Sequence, residues 1–148
     1  FLEALDANIA QYIKSGSKPC RAAAAGEYAI GASFAFSAVK LILEGYPITL
    51  VVPSEGAGYE MEVSGLMKTS DNKEDTKKFL DWLLTPAAAT LYGERSAISV
   101  VPGAEPTEAV LNAGLPEDVS TVLYKMDFNW SAQNKERILA EWTKRIER

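Results

Sequence analysis

Leu2, Leu5, Ile9 and Ile13 recur at helical spacing with Glu3, Asp6 and Lys14 on other faces, which predicts an amphipathic helix ending before Ser15-Gly16-Ser17. Pro19 suits the first turn of a second, two-turn helix, because the N–H it lacks would go unpaired there anyway. Ser17 or Lys18 caps that helix and Gly26 stops it. Tyr28 to Phe34 is β-compatible, whereas Ala35 to Glu44 spaces Phe36, Val39, Leu41 and Leu43 as a helix that Gly45 ends. Ile48 to Val52 is a β-branched run closed by Pro53, the pattern of a strand buried inside a sheet.

After the glycine-containing loop Glu55 to Tyr59, the stretch Glu60 to Lys68 alternates. Met61, Val63, Gly65 and Met67 share one parity and Glu60, Glu62, Ser64 and Leu66 the other, so the pattern predicts a strand with one largely polar face. Ser70-Asp71-Asn72 caps the next helix, whose stripe Phe79, Leu80, Leu83 and Leu84 opposes Lys73, Glu74, Lys77 and Asp81. Thr85-Pro86 restarts a helix to about Gly93, a short extended segment follows over 97–101, and a short helix is expected from Pro106 to Asn112. Ser131 opens a final helix with Ile138, Leu139, Trp142 and Ile146 on one side. Helices and strands alternate without a repeat or a dividing linker, which favours an α/β fold with a mixed, partly parallel sheet flanked by helices, in one compact unit.

Composition narrows the function classes. The 148 residues, 47% apolar and 24% charged, match an ordinary globular domain. A net charge of −5 and the absence of a basic stripe with interleaved aromatics argue against nucleic acid as a partner. No apolar run reaches the eighteen or so residues of a membrane helix, so stable membrane insertion is not expected. One cysteine, Cys20, rules out an internal disulfide and a cysteine-based zinc site, and no histidine means no Ser-His-acid, Cys-His or two-histidine metal motif within the chain. Catalytic residues, a metal and a cofactor are therefore not expected.

Two places suit a ligand. Ser15-Gly16-Ser17 precedes a helix start, where hydroxyls and free N–H groups meet the positive end of the helix dipole and favour an anion, although the same serines also suit an ordinary cap. In Glu55 to Glu62, Gly56 and Gly58 let backbone approach a ligand, Tyr59 offers an aromatic wall with a hydroxyl, and Glu60 or Glu62 can pair with an ammonium or sugar hydroxyls. The alternative there is a strand-entry turn with solvated acids. Ser33 and Phe34 end an expected strand, where open α/β sheets place ligands.

The segments Ser15-Gly16-Ser17-Lys18-Pro19, Ala25 to Phe34, Pro53 to Glu60, and Lys73 to Pro86 with its Phe-Leu-Asp-Trp-Leu-Leu-Thr-Pro end occur in an order that resembles the iron(III)- and phosphonate-type extracellular solute-binding proteins, over about Leu2 to Pro102. The resemblance implies a type 2 periplasmic binding fold of two lobes closing on a cleft. This chain would be the carboxy-terminal portion, with cleft-lining segments over about 15–68 and a helical packing region over about 70–148. It further implies a receptor handing cargo to ABC transporter permease subunits, located in the periplasm with its signal peptide removed, or outside the cell on an amino-terminal anchor. Iron-binding members carry paired tyrosines where this sequence has Ser33-Phe34-Ala35-Phe36, and phenylalanine cannot coordinate iron. The implied cargo is thus a small organic anion of the phosphonate or sugar phosphate type. Ser15, Gly16 and Ser17 would meet the phosphoryl group and Ser33 would add a hydroxyl next to Phe34. Gly58, Tyr59, Glu60 and Glu62 would hold the non-anionic end. A ferric-ion binder of the same family, or an effector-binding domain or enzyme on the same fold, are the alternatives.

Overall fold

The computed structural model describes residues 1–94, 98–99, 101 and 105–146. Its elements are helices α1 (Leu2–Asp6), α2 (Lys18–Ala24), α3 (Ala35–Leu43), α4 (Lys73–Leu83), α5 (Pro86–Glu94) and α6 (Glu108–Asn112), a 3-10 turn over Val119–Thr121, and α7 (Phe128–Arg145). They fall into two compact units: Phe1–Lys14 with Lys125–Arg148, and Ser15–Tyr124.

The centre of the larger unit is α3. Val39, fully buried, packs with Val110, Ala113 and Leu115 at α6, and Ala35, Ile42, Leu50 and Val119 close round them. The adjoining stripe of α3, Ala38 and Leu41, packs against Cys20 of α2 with Ala24, Ile48 and Leu50. Spacings of three and four residues thus give α3 two neighbouring apolar faces, one toward each flanking helix. Gly26 and Gly45 end α2 and α3 at φ of 78° and 89°, the left-handed conformation in which a side chain is strained, and the Gly45 N–H donates to the Ile42 carbonyl at 2.9 Å. The connection from α4 to α5 turns on Thr85. Its hydroxyl donates to the Trp82 carbonyl at 2.7 Å and accepts from the Ala88 N–H at 3.4 Å, with Pro86 in the first turn of α5.

The expected mixed α/β sheet, and with it a type 2 binding lobe, is overturned. Among the described residues the architecture is helical, and the sole pairing of extended chain is a parallel bridge between Ala57 and Leu123. Residues 28–34, 48–52 and 60–67 are extended or irregular and form no ladder. An apolar run of strand length specifies a strand only when a neighbouring strand takes up its N–H and C=O groups. Here Ile48 and Leu50 pack on α3, while Ile30, Val51 and Val63 face outward. The short extended segment expected over 97–101 lies largely outside the described residues.

In the smaller unit α1 is shorter than the spacing predicts. The Asn8 side-chain amide donates to the Ala4 carbonyl at 3.3 Å, and the Asn8 N–H turns to Leu5 at 2.8 Å, so the i to i−4 ladder closes there. The Tyr12 ring meets Trp142 of α7 edge-on, with centroids 5.1 Å apart, and its hydroxyl donates to Asp6 at 3.0 Å. Arg145 bridges Glu141 and Glu3 at 2.7 and 3.4 Å. Helix α7 begins before Ser131 because Asp127 is its cap, accepting from the Trp130 N–H at 2.9 Å.

Candidate functional site

The starts of α2 and α3 meet. The Gly16 carbonyl, just before α2, accepts from the Ser33 hydroxyl and, at 3.3 Å, from the Phe34 N–H at the cap of α3. The Phe34 ring covers Gly16 so closely that a β-carbon there would overlap it. Gly31 is pressed likewise onto the Pro19 carbonyl. Gly31 is therefore required by close approach to backbone, whereas at Gly16 only the exposed Phe34 ring stands in the way and a β-carbon would turn it aside.

Ser15, Gly16, Ser17, Ser33 and Phe34 are thus gathered in one place. The Ser15 hydroxyl accepts from the Lys18 N–H at 3.3 Å. Ser17 holds the cap position of α2 without bonding the helix through its side chain, so the capping hydroxyl is that of Ser15. Phe34 stacks on Phe36, with centroids 5.4 Å apart and planes at 14°, and both rings are exposed. The junction joins hydroxyls, the positive ends of two short helices and the nearby Lys18 to an exposed aromatic surface. That combination suits an anion carried on an organic body.

The second set is anchored elsewhere. The Ala57 N–H donates to Val122 at 2.7 Å and its carbonyl accepts from the Tyr124 N–H at 2.8 Å, which ties the entry of this segment to the 122–124 strand-like stretch. Gly56 adopts a φ of 113°, which favours glycine, although a β-carbon there would make only ordinary contact with Tyr124, and a β-carbon on Gly58 would meet nothing. Neither glycine is required by close approach. Glu60 and Glu62 are exposed and Tyr59 is half-buried. Among the described residues, no hydrogen bond joins Gly58, Glu60 or Glu62 to the Gly16–Ser33 junction.

A cavity of about 100 Å³ in the same unit is bounded by Ile98, Val110, Leu115, Val119, Glu105 and Glu117. It is small beside the usual few hundred Å³ of an organic ligand pocket. Its residues come from turns around α6 and the 3-10 turn, where no periodic pattern marks them. Cys20 is buried between α2 and α3, and burial pushes its thiol above the ordinary range, so it stays protonated and unreactive near neutrality. Among the described residues no group of three or more His, Cys, Asp or Glu side chains is placed to hold a metal ion, and no helix is long and apolar enough to cross a membrane.

No family model matches the chain, and no solved structure matches it. An uncharacterized protein of Haemophilus influenzae is 29% identical to it over 149 residues, a match that takes in 99% of this chain and 42% of the relative. The chain therefore spans less than half the length of the curated relative it matches.

Proposed function

We propose that this chain is the ligand-capturing part of the binding component of an ABC uptake transporter, taking a small organic anion of the phosphonate or sugar phosphate class. The observation that carries the reading is the locking of Gly16 to Ser33 and Phe34. It gathers Ser15, Ser17 and Ser33 at the joined starts of α2 and α3. The Ser15 and Ser17 hydroxyls meet the phosphoryl oxygens, Ser33 holds the junction closed by donating to the Gly16 carbonyl, and the Phe34–Phe36 surface lies along the organic body. The quoted order of motifs, from Ser15-Gly16-Ser17 to the Phe-Leu-Asp-Trp-Leu-Leu helix, supports a receptor that passes its cargo to permease subunits on the outer side of a cytoplasmic membrane. Tyr59 with Glu60 or Glu62 orients the non-anionic end of the same ligand.

Thermal unfolding with a hexose 6-phosphate, 2-aminoethylphosphonate, inorganic phosphate, sulfate and ferric citrate tests it, since a ligand that binds only the folded state raises its stability by mass action. A rise in Tm with one organic phosphoryl compound, lost in Ser17→Ala with less than about 1 kcal/mol of unfolding free energy changed, is the expected result. A rise with ferric citrate alone, or with none of the five, sinks the proposal.

A further inference from the structure

The two exposed rings at the start of α3 have different roles. Phe34 is tied to the junction twice: its N–H donates to the Gly16 carbonyl at 3.3 Å, and its ring lies over Gly16. It also holds the cap position of α3, with extended backbone at φ −69° and ψ 137°. Replacing Phe34 therefore disturbs the place where Ser15 and Ser17 sit. Phe36 carries no such constraint. It lies in the first turn of α3, 46% exposed, and packs in neither of the buried clusters that the helix builds through Val39 and through Ala38 and Leu41. Its ring stacks on that of Phe34, 5.4 Å away with planes at 14°. A lone exposed aromatic residue is ordinary. Two nearly parallel rings that lead away from Gly16 form an apolar surface continuous with the serine cluster.

We infer that Phe36 is a specificity-determining residue of this site: it takes the organic body of a phosphoryl ligand and so separates such a ligand from inorganic phosphate. The inference rests on the anion site proposed above. Its physical basis is a division of the ligand. The phosphoryl oxygens are met by hydroxyls, which inorganic phosphate meets equally well. Specificity is a difference of affinities, so only contact with the rest of the ligand can tell the two anions apart. The Phe36 ring supplies that contact, because its face removes the CH groups of a sugar ring or an alkyl chain from water. It takes no part in holding the phosphoryl group, and it can be changed without disturbing the cap or the Gly16 junction.

Dissociation constants for a hexose 6-phosphate, 2-aminoethylphosphonate and inorganic phosphate, measured by titration calorimetry on the 148-residue chain and on Phe36→Ala and Phe36→Tyr, test it. Phe36→Ala is expected to weaken the organic compound that binds the wild type by about fivefold, and inorganic phosphate by less than about twofold. Phe36→Tyr, which keeps the ring, should match the wild type for both. The Tm of ligand-free Phe36→Ala should stay within about 2 °C of the wild type, since the ring belongs to neither core cluster. Equal losses for organic and inorganic anions would mean that Phe36 acts on the serines, and overturn the inference. Unchanged affinity for the organic compound overturns it while leaving the anion site standing. A fall in Tm of more than about 5 °C would place the ring in the packing of the unit and overturn it as well. If none of the three compounds binds the wild type, the anion site itself fails and the inference falls with it.

Discussion

Helices α3 and α4 are close in length and opposite in what holds them. The nine residues of α3 bury Ser37, Ala38, Val39 and Leu41 between α2 and α6, so its stability is tertiary. The eleven residues of α4 bury none. Its Phe79 and Trp82 stack on each other at 5.9 Å and stay exposed, Leu80 and Leu83 are only half-buried, and its polar face carries the ion pairs Lys77–Glu74 and Lys78–Asp75 at 2.9 Å. Such pairs contribute only a few tenths of a kcal/mol each. Amphipathic patterning therefore makes a helix but does not by itself give it a core to pack on; in this chain the core is built round the helix with small and branched residues.

The comparison can be broken most directly at Val39. Val39→Ala is expected to cost about 2–3 kcal/mol in urea unfolding, and Phe79→Ala on α4 less than about 1. Similar losses at the two sites would mean that α4 is packed as α3 is. Next in size is Gly31→Ala, which drives a methyl group into the Pro19 carbonyl and should cost about 2 kcal/mol. If that variant unfolds at the wild-type urea concentration, the lock between the starts of α2 and α3 is not tight. Asp127→Ala removes the cap of α7, another helix with no buried residue within it, and should lower stability by about 1 kcal/mol, visible as lost ellipticity at 222 nm.

The smallest effect is a matter of pH. The Ser120 side chain, and after it the Ser120 N–H at 2.9 Å, hydrogen-bonds the Asp118 carboxylate and holds its carboxyl below the usual range. A carboxyl whose folded pKa is depressed contributes stability that is complete above its unfolded pKa, near 4, and is lost as pH falls through the folded value. Asp118→Asn should therefore lower stability slightly at pH 7, with the difference shrinking to nothing as the pH falls well below about 4 and the wild-type carboxyl takes up its proton. A difference that persists in acid would show that the side chain acts through something other than its charge.

Much of the local structure was legible in order along the chain. Gly26 and Gly45 as stops, Pro19 and Pro86 in first turns, and the stripe of α4 all follow from short-range sterics and hydrogen bonding, which a neighbouring residue or two determines. Boundaries moved where a nearby side chain intervened, as Asn8 did at the end of α1 and Asp127 at the start of α7. The candidate site was legible only as separate pieces. Ser15-Gly16-Ser17 and Ser33-Phe34 were each visible, but a carbonyl that accepts from a hydroxyl seventeen positions away has no local signal.

Sequence alone thus determined the glycine stops of α2 and α3, the prolines in the first turns of α2 and α5, the lack of histidine chemistry and the supply of hydroxyls, because these depend on residue identity and on contacts within a turn or two. Tertiary structure decided the rest. It set Ile48 and Leu50 against α3 instead of into a sheet, since a strand exists only with a partner for its backbone groups. It also brought Gly16 under Phe34, since which segments meet depends on how the whole chain buries its apolar faces.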